Sequence, residues 1–183
     1  KTRFLKLYAI NVFLLKYKQC TPLTLNSSSI NPSCYGNNNG SATITPSGGS
    51  SFSYSWSPVN STSPSIYNLS AGNYSCIVSN SCGASNTLNI SITQPTSLTA
   101  YMSQNSTTVC SGNYFWFNSN VTGGTGSYTY SWSTGYTGSN LYVYPTQSSV
   151  YTLTVADANN CSKTLTASVN VVNNPTVNVS ASS

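Results

Sequence analysis

Residues 51–57 read Ser-Phe-Ser-Tyr-Ser-Trp-Ser, so that an aromatic side chain occupies every second position and a serine lies between. Residues 127–133 repeat the pattern as Ser-Tyr-Thr-Tyr-Ser-Trp-Ser. Successive side chains of a β-strand point to opposite faces, so a period of two predicts strands with an aromatic core face and a small polar outer face. The chain is therefore expected to consist of half-buried strands.

The same stretch marks an internal repeat. Trp56 recurs as Trp132 and Cys34 recurs as Cys110, so the interval between cysteine and tryptophan is the same in both copies. A Gly-Gly pair precedes each tryptophan, and turn residues return at short, regular intervals without a helical stripe after residue 20. Short strands at such spacing are typical of an antiparallel β-sandwich.

We therefore divide the chain into four parts. A basic and apolar segment covers 1–19, two tandem sandwiches cover 20–95 and 96–174, and 175–183 is a tail or the first strand of a further unit. Sandwiches of this size have small cores, which usually need covalent staples.

Charge is concentrated at one end of the chain. There are six Lys or Arg, one acidic residue and no His, and beyond residue 18 only Lys163 and Asp157 remain. Without a His or a carboxylate pair, catalytic triads, zinc sites and acid–base pairs are excluded. We therefore expect no enzyme and no cofactor or metal. The neutral body also lacks the basic stripe that nucleic-acid binding requires.

The first eighteen residues are apolar as well as basic. Their apolar stretch is too short for a membrane helix, which needs about 20 residues, so we expect no membrane span. Three interpretations stay open: an assembly element docked on a neighbouring subunit, a retained signal sequence, or a strand or helix packed on its own domain. We favour the first, because sandwich edges accept an added strand. The assembly residues would be Phe4, Leu5, Leu7, Tyr8, Ile10, Val12, Phe13, Leu14 and Leu15.

Six cysteines without a histidine predict disulfides, and disulfides predict export to an oxidising compartment. The repeat suggests one bridge in each unit, Cys34–Cys82 and Cys110–Cys161. Cys20 and Cys76 remain. A third bridge between them and a pair of buried free thiols are both open.

Larger motifs resemble a known family. Cys34-Tyr-Gly-Asn-Asn-Asn-Gly-Ser-Ala-Thr-Ile44, the following Gly-Gly and Tyr-Ser-Trp-Ser, and Asn68-Leu-Ser-Ala-Gly-Asn-Tyr74 together resemble a SprB-type repeat. The second unit, from Val109-Cys110 to Cys161, is similar to the companion PKD-like, immunoglobulin-like module. This resemblance implies two tandem immunoglobulin-like sandwiches in an exported cell-surface protein of the adhesin type, and it implies no catalytic residues.

Tyrosines offer a candidate binding surface. Tyr142 and Tyr144 alternate with Leu141 and Val143, so one of these pairs must face outward, and Tyr136 lies in a turn. Exposed tyrosine rings can stack on sugars or on partner surfaces. Tyr136, Tyr142 and Tyr144 are therefore the candidate ligand-stacking residues.

Two functions follow from these features. The first is a structural or adhesive protein that builds a filament or stalk, with the chain itself as partner through its N-terminal segment. The alternative is a carbohydrate-binding module of a secreted protein, with surface glycans as partners.

Overall fold

The computed structural model describes residues 21–173 and residue 175. These residues form thirteen β-strands and no helix: β1 Thr24–Ile30, β2 Gly40–Ser47, β3 Ser53–Ser57, β4 Ser65–Leu69, β5 Gly72–Ser79, β6 Ser85–Ile92, β7 Thr96–Met102, β8 Ser106–Cys110, β9 Phe115–Gly124, β10 Thr129–Trp132, β11 Asn140–Val143, β12 Ser149–Ala156 and β13 Ser162–Val172. The all-β prediction is confirmed. The predictions for 1–19 and for 176–183 concern positions outside the described residues.

The chain divides into two compact units. Of the described residues, the first unit takes those up to Asn31 together with Asn38–Thr93, and the second takes the loop Pro32–Asn37 together with those from Gln94 onward. The loop between β1 and β2 thus belongs to the second unit, although the sequence pattern predicted that it would stay with the first.

The first unit is a sandwich of two three-stranded sheets, β1-β2-β4 and β3-β5-β6, with antiparallel pairing throughout. Apolar side chains from both sheets meet in one core, because alternate positions of each strand point inward. This core consists of Ala42, Ile44, Trp56, Ile66, Leu69, Cys76, Val78, Ile90 and Ile92.

The second unit is a sandwich of a three-stranded sheet, β11-β9-β7, and a four-stranded sheet, β10-β12-β13-β8. Its core contains Phe117, Trp132, Leu141, Val143, Leu153, Val155, Ala167 and Val169. All strand pairs of this unit are antiparallel except one at the edge, where β8 runs parallel to β13. Only residues 103–105 separate β7 from β8, and over this short step the chain passes from one sheet to the edge of the other.

The repeated tryptophan is anchored in the same way in both units. The indole N–H of Trp56 donates to the carbonyl of Ser63, and that of Trp132 donates to the carbonyl of Gly138, each at 2.8 Å. Burial of an indole requires such a partner for its N–H group. The loop after each tryptophan strand therefore closes onto the core.

A buried polar side chain closes the turn after β5 in the first unit and after β12 in the second. Asn80 Oδ1 accepts the N–H groups of Cys82 and Ala84, and Asp157 Oδ1 accepts those of Asn159 and Cys161. The third contact differs between the units. The amide of Asn80 donates to the carbonyl of Gly48 at 2.9 Å, whereas Asp157 Oδ2 accepts the N–H of Thr125 at 2.9 Å.

The Gly-Gly pairs make room for these turns. A Cβ at Gly49 would lie 2.7 Å from Asn80 Nδ2, and a Cβ at Gly124 would lie 2.6 Å from Asp157 Oδ2. The first glycine of each pair has a positive φ and lies against a backbone carbonyl, that of Pro22 for Gly48 and that of Ser97 for Gly123.

The pairing predicted for the cysteines is wrong. Cys34 is bonded to Cys161 across 127 residues, not to Cys82, and Cys110 is a free thiol. The turn geometry explains the error. Cys82 lies two residues after Asn80, whereas Cys161 lies four residues after Asp157, so these cysteines do not occupy equivalent positions.

The other cysteines differ in their surroundings. Cys82 is disulfide-bonded, whereas Cys76 is free, which excludes the Cys20–Cys76 bridge that the sequence left open. The Cys76 side chain is fully buried in the core of the first unit. Burial raises the pKa of its thiol, and a hydrogen bond with the backbone of Ser55 only partly opposes that effect. Cys76 is thus a buried free thiol, as one of the two alternatives expected of it, whereas Cys20 lies outside the described residues.

Candidate functional site

Strand β9 carries aromatic side chains on both of its faces. Phe115 and Phe117 point into the core of the second unit, whereas Trp116 points outward and Tyr114 is exposed just before the strand begins. The inward rings fix the strand. Phe117 is buried and packs against Trp132 at 5.8 Å and against Tyr151 at 5.4 Å between ring centroids.

The outward rings form pairs with the neighbouring strand. Trp116 lies directly opposite Tyr142 of β11, with centroids 6.3 Å apart and ring planes within 18° of parallel. Tyr114 and Tyr144 form the next pair, with their ring centroids 6.4 Å apart. We call these two pairs the aromatic ladder. Trp116 is 45% exposed and Tyr142 is 61% exposed, so the ladder is open to solvent.

Polar side chains continue the ladder. Asn118 and Asn140 are the next opposed pair on β9 and β11, and one strand further Thr99 and Thr122 share a hydroxyl hydrogen bond of 2.7 Å. The side-chain oxygen of Asn140 is buried and has no hydrogen-bond partner among the described residues. The sheet face therefore changes from aromatic rings to amides and hydroxyls along its length.

A groove lies beside the ladder. It has a volume of about 290 Å³ and is lined by Thr134, Tyr136, Leu141, Tyr142 and Val143. Gly138 leaves room for the Tyr136 ring, which forms part of the lining. A Cβ at Gly138 would lie only 2.5 Å from the ring carbon Cε1 of Tyr136. The carbonyl of the same glycine accepts the indole N–H of buried Trp132, so the groove is anchored to the core.

The equivalent sheet of the first unit has no such ladder. Ser41 lies opposite Tyr67 in the register in which Trp116 lies opposite Tyr142. The adjacent pair, Thr43 and Ser65, is joined by a hydroxyl hydrogen bond of 2.9 Å. Tyr67 is 68% exposed and therefore serves as a matched single tyrosine outside the ladder.

The ladder and the groove carry no formal charge. The charged side chains of the described residues are Asp157, which is buried in its turn, and Lys163 on β13, which belongs to the other sheet of the unit. Desolvation raises the pKa of Asp157, but the N–H groups of Cys161, Thr125 and Asn159 outweigh this effect, so the net pKa lies below the ordinary value for aspartate. The carboxylate is thus engaged inside the fold.

The three candidate stacking residues lie together in the structure. Tyr136, Tyr142 and Tyr144 are all exposed, and Tyr136 and Tyr142 both line the groove. The sequence reasoning missed Trp116 and Tyr114. Their signal was the alternation with Phe115 and Phe117, since one face of β9 must turn its aromatic residues outward. The candidate assembly residues of 1–18 lie outside the described residues.

Neither a membrane-spanning helix nor a metal-binding cluster is found among the described residues, 21–173 and 175. None of these residues belongs to a helix that is long and apolar enough to cross a membrane. No three side chains of His, Cys, Asp or Glu in this part of the chain come together in an arrangement that could hold a metal ion.

Residues 26–61 match the SprB repeat, which confirms the expected resemblance for a segment that runs from β1 through Trp56. No curated protein matches the chain. The expected resemblance of the second unit to a PKD-like module stays a prediction.

Several solved structures of immunoglobulin-domain proteins are similar to the chain. A structure titled for Dscam isoform specificity is 18% identical, with 85% of this chain and 47% of that chain covered and a TM-score of 0.38. The four N-terminal Ig domains of Dscam1 isoform 7.44 are 16% identical, with 85% and 47% covered and a TM-score of 0.40. The eight N-terminal Ig domains of a DSCAM isoform are 18% identical, with 81% of this chain and 24% of that chain covered and a TM-score of 0.39. This chain thus spans about half of the length of the first two of these proteins.

Proposed function

We propose that this chain is a non-catalytic extracellular module of the adhesin type and that the aromatic ladder is its contact surface. The observation that carries the proposal is the concentration of exposed rings on one uncharged sheet face, with Trp116 and Tyr142 side by side. Exposed aromatic patches mark interaction sites, since their contact with water is unfavourable.

Two observations support the extracellular location. Residues 26–61 match the SprB repeat, which is typical of surface adhesins. The bond between Cys34 and Cys161 requires an oxidising compartment to form and persist.

A structural role agrees with the inventory of reactive groups. The chain has no His, and its one acidic residue is Asp157. That carboxylate already accepts three backbone N–H groups at 2.9 Å, which leaves it unsuited to acid–base chemistry on a substrate.

Adhesion of coated beads tests the proposal. Beads would carry the full chain, the double variant Trp116→Ser/Tyr142→Ser, or the matched variant Tyr67→Ser, and would be allowed to settle on surfaces coated with polysaccharide, protein or lipid bilayer. We expect the full chain and Tyr67→Ser to adhere equally to at least one surface and the double variant to detach. Equal adhesion by all three chains, or adhesion by none, would overturn the proposal.

A second proposal is assembly into a filament or stalk through residues 1–18. It is supported by the charge distribution, since beyond residue 18 the chain carries only Asp157 and Lys163. Copies of a body without net charge do not repel one another, and low net charge promotes association.

Electron microscopy separates this proposal from the first. The full chain and a chain that begins at residue 19 would be purified at equal concentration, with circular dichroism as the check that both are folded. We expect filaments from the full chain alone. Filaments from both chains, or from neither, would contradict assembly through the N-terminal segment.

A further inference from the structure

We propose that the aromatic ladder binds a neutral polysaccharide, with the groove between Tyr136 and Tyr142 as the seat for one sugar ring. The inference rests on the proposed function, since it names the partner of the same surface. It is carried by the geometry of the ladder, the absence of charge around it and the groove beside it.

The shape of the ladder favours an extended ligand. Its two ring pairs are two residues apart along the chain on each side, which corresponds to roughly 7 Å in extended backbone. The amide pair Asn118 and Asn140 follows at the same interval. A polymer of sugar rings could therefore stack on successive rings and then meet the exposed amide of Asn118, which both donates and accepts hydrogen bonds.

The chemistry of the rings favours a sugar. A pyranose presents C–H groups on its faces and hydroxyls around its rim. Tyrosine and tryptophan match this arrangement, because each combines a large apolar ring with a polar group at its edge. Tyr142, Tyr144 and Trp116 are exposed side chains, and their two phenols and one indole N–H are groups that hydrogen-bond with such hydroxyls.

The electrostatics favour a neutral ligand over an anionic one. Nucleic acids, acidic glycans and anionic membranes are bound chiefly through Lys and Arg. No Lys or Arg of the described residues lies on the ladder sheet, since Lys163 belongs to β13. Binding should consequently be almost independent of salt.

The groove adds a concave site beside the ladder. Its volume of about 290 Å³ is near the lower limit of ligand pockets in proteins. Tyr136 and Tyr142 line it together with Leu141, and the lack of a side chain at Gly138 is what allows the Tyr136 ring to lie there.

Affinity electrophoresis of the full chain tests the inference. Native gels would contain mannan, xyloglucan or hydroxyethyl cellulose as neutral probes and hyaluronate or heparin as acidic probes. We expect at least one neutral probe to retard the full chain, equally at low and high salt. Any retardation by the acidic probes should come from the basic residues 1–18 and be lost at high salt. Retardation by acidic probes alone, or by none, would overturn the inference.

Three variants locate the site. Trp116→Ser/Tyr142→Ser should weaken retardation about tenfold or more, which corresponds to a loss of roughly 1.4 kcal/mol. Gly138→Ala, which displaces Tyr136, should weaken it while the circular dichroism spectrum stays native. Tyr67→Ser should match the wild type. Equal retardation of all these chains would show that the sugar binds elsewhere and would contradict the inference.

The outcome also separates the inference from the proposed function. If beads adhere to protein or lipid bilayer through Trp116 and Tyr142 while no neutral probe retards the chain, the contact surface stands and the sugar ligand is wrong. If beads bearing the full chain and the double variant adhere equally, the contact surface itself is wrong.

Discussion

At the scale of single residues, Asn80 and Asp157 occupy similar turns but differ in the direction of their third hydrogen bond. Each accepts two N–H groups of its own turn, but the third neighbour of Asn80 is a carbonyl and that of Asp157 is an N–H group. An amide suits the first position because it can donate, and a carboxylate suits the second because it only accepts. The one acidic residue of the chain is thus explained by its hydrogen bonds.

The depressed pKa of Asp157 predicts how stability depends on pH. A carboxyl whose folded pKa is below its unfolded value stabilises the fold above the unfolded pKa of about 3.9, and this contribution is lost as the pH falls through the folded pKa. We expect the melting temperature to be constant between about pH 7 and 5 and to fall below about pH 4. In Asp157→Asn it should be lower at pH 7 but nearly independent of pH. Thermal melts followed by circular dichroism measure both profiles.

The reciprocal substitution Asn80→Asp is the matched control. It places a carboxylate against the carbonyl of Gly48, which accepts a hydrogen bond from the amide of Asn80 in the native chain. The variant should be less stable than the wild type at pH 7, and the difference should shrink toward pH 3, where a protonated carboxyl can donate. A difference that grows as the pH falls would contradict the hydrogen-bond assignment.

The glycines permit a second prediction at this scale. Gly123 and Gly112 both have positive φ, 76° and 78°, but a Cβ at Gly123 would collide with the carbonyl of Ser97, whereas a Cβ at Gly112 would meet no atom within 4 Å. Gly112→Ala should cost about 1–2 kcal/mol from backbone strain alone. Gly123→Ala should cost on the order of 3 kcal/mol or more, because a steric clash is added. Urea denaturation gives both values, and equal losses would show that the clash is relieved.

At the scale of elements, the loop before β2 and the turn before β13 are joined by Cys34 and Cys161. The bonded cysteines are 127 residues apart, so loss of the bond should reduce the free energy of unfolding by up to about 5 kcal/mol in the chain-entropy picture. Cys34→Ser/Cys161→Ser should therefore melt at a lower temperature. Cys110→Ser, which removes a free thiol, should change stability by less than about 0.5 kcal/mol.

Alkylation and peptide mapping check the assignment of the bond. Under native conditions Cys110, which is partly exposed, should react with iodoacetamide, and Cys76 should react only after unfolding. Non-reducing mass spectrometry should find Cys34 and Cys161 in one linked peptide. A linked peptide that joins Cys34 to Cys82 would contradict the structure.

Strand identity was predictable from sequence because it depends on local alternation. The pattern of aromatic residues before Trp56 and Trp132 fixes which face of the strand is buried, and the repeat places the turns around it. Disulfide pairing was not predictable, because it depends on where the Cys34 loop comes to lie, which no local pattern encodes. The offset between Cys82 and Cys161 differed from that between Asn80 and Asp157, but the significance of those turn residues emerged only from their hydrogen bonds.

The candidate site was predictable in part. Alternation around Tyr142 and Tyr144 indicated that one pair of side chains points outward, and the structure adds that these rings lie beside Trp116 and Tyr114. Cross-strand neighbours depend on the register between β9 and β11, which the sequence does not specify by itself. The groove was not predictable either, because it depends on the close approach of the Tyr136 ring to Gly138, which is distant from any sequence pattern that we used.

At the scale of the whole molecule, the scarcity of charge has a functional meaning. Beyond residue 18 the chain has one acidic and one basic side chain, and solubility must come from its many Ser, Thr and Asn residues. A surface of this kind repels neither another copy of itself nor an uncharged polymer. Adhesion through rings and hydroxyls is therefore consistent with the composition as well as with the ladder.

Trp116 is an intrinsic fluorescence probe of whether the aromatic ladder is the binding surface. It has three tryptophans, and Trp56 and Trp132 are each only 3% exposed, whereas Trp116 is 45% exposed. Quenching of tryptophan fluorescence by acrylamide should therefore report mainly on Trp116. The Trp116→Phe variant supplies the signal of the two buried tryptophans as a reference.

The decisive measurement is acrylamide quenching of the full chain with and without soluble mannan or xyloglucan. If the aromatic ladder binds a neutral polysaccharide, at least one of these polymers lowers the quenching constant toward that of Trp116→Phe, and hyaluronate leaves it unchanged. A quenching constant that no neutral polysaccharide alters, or one that hyaluronate alone lowers, would contradict this binding.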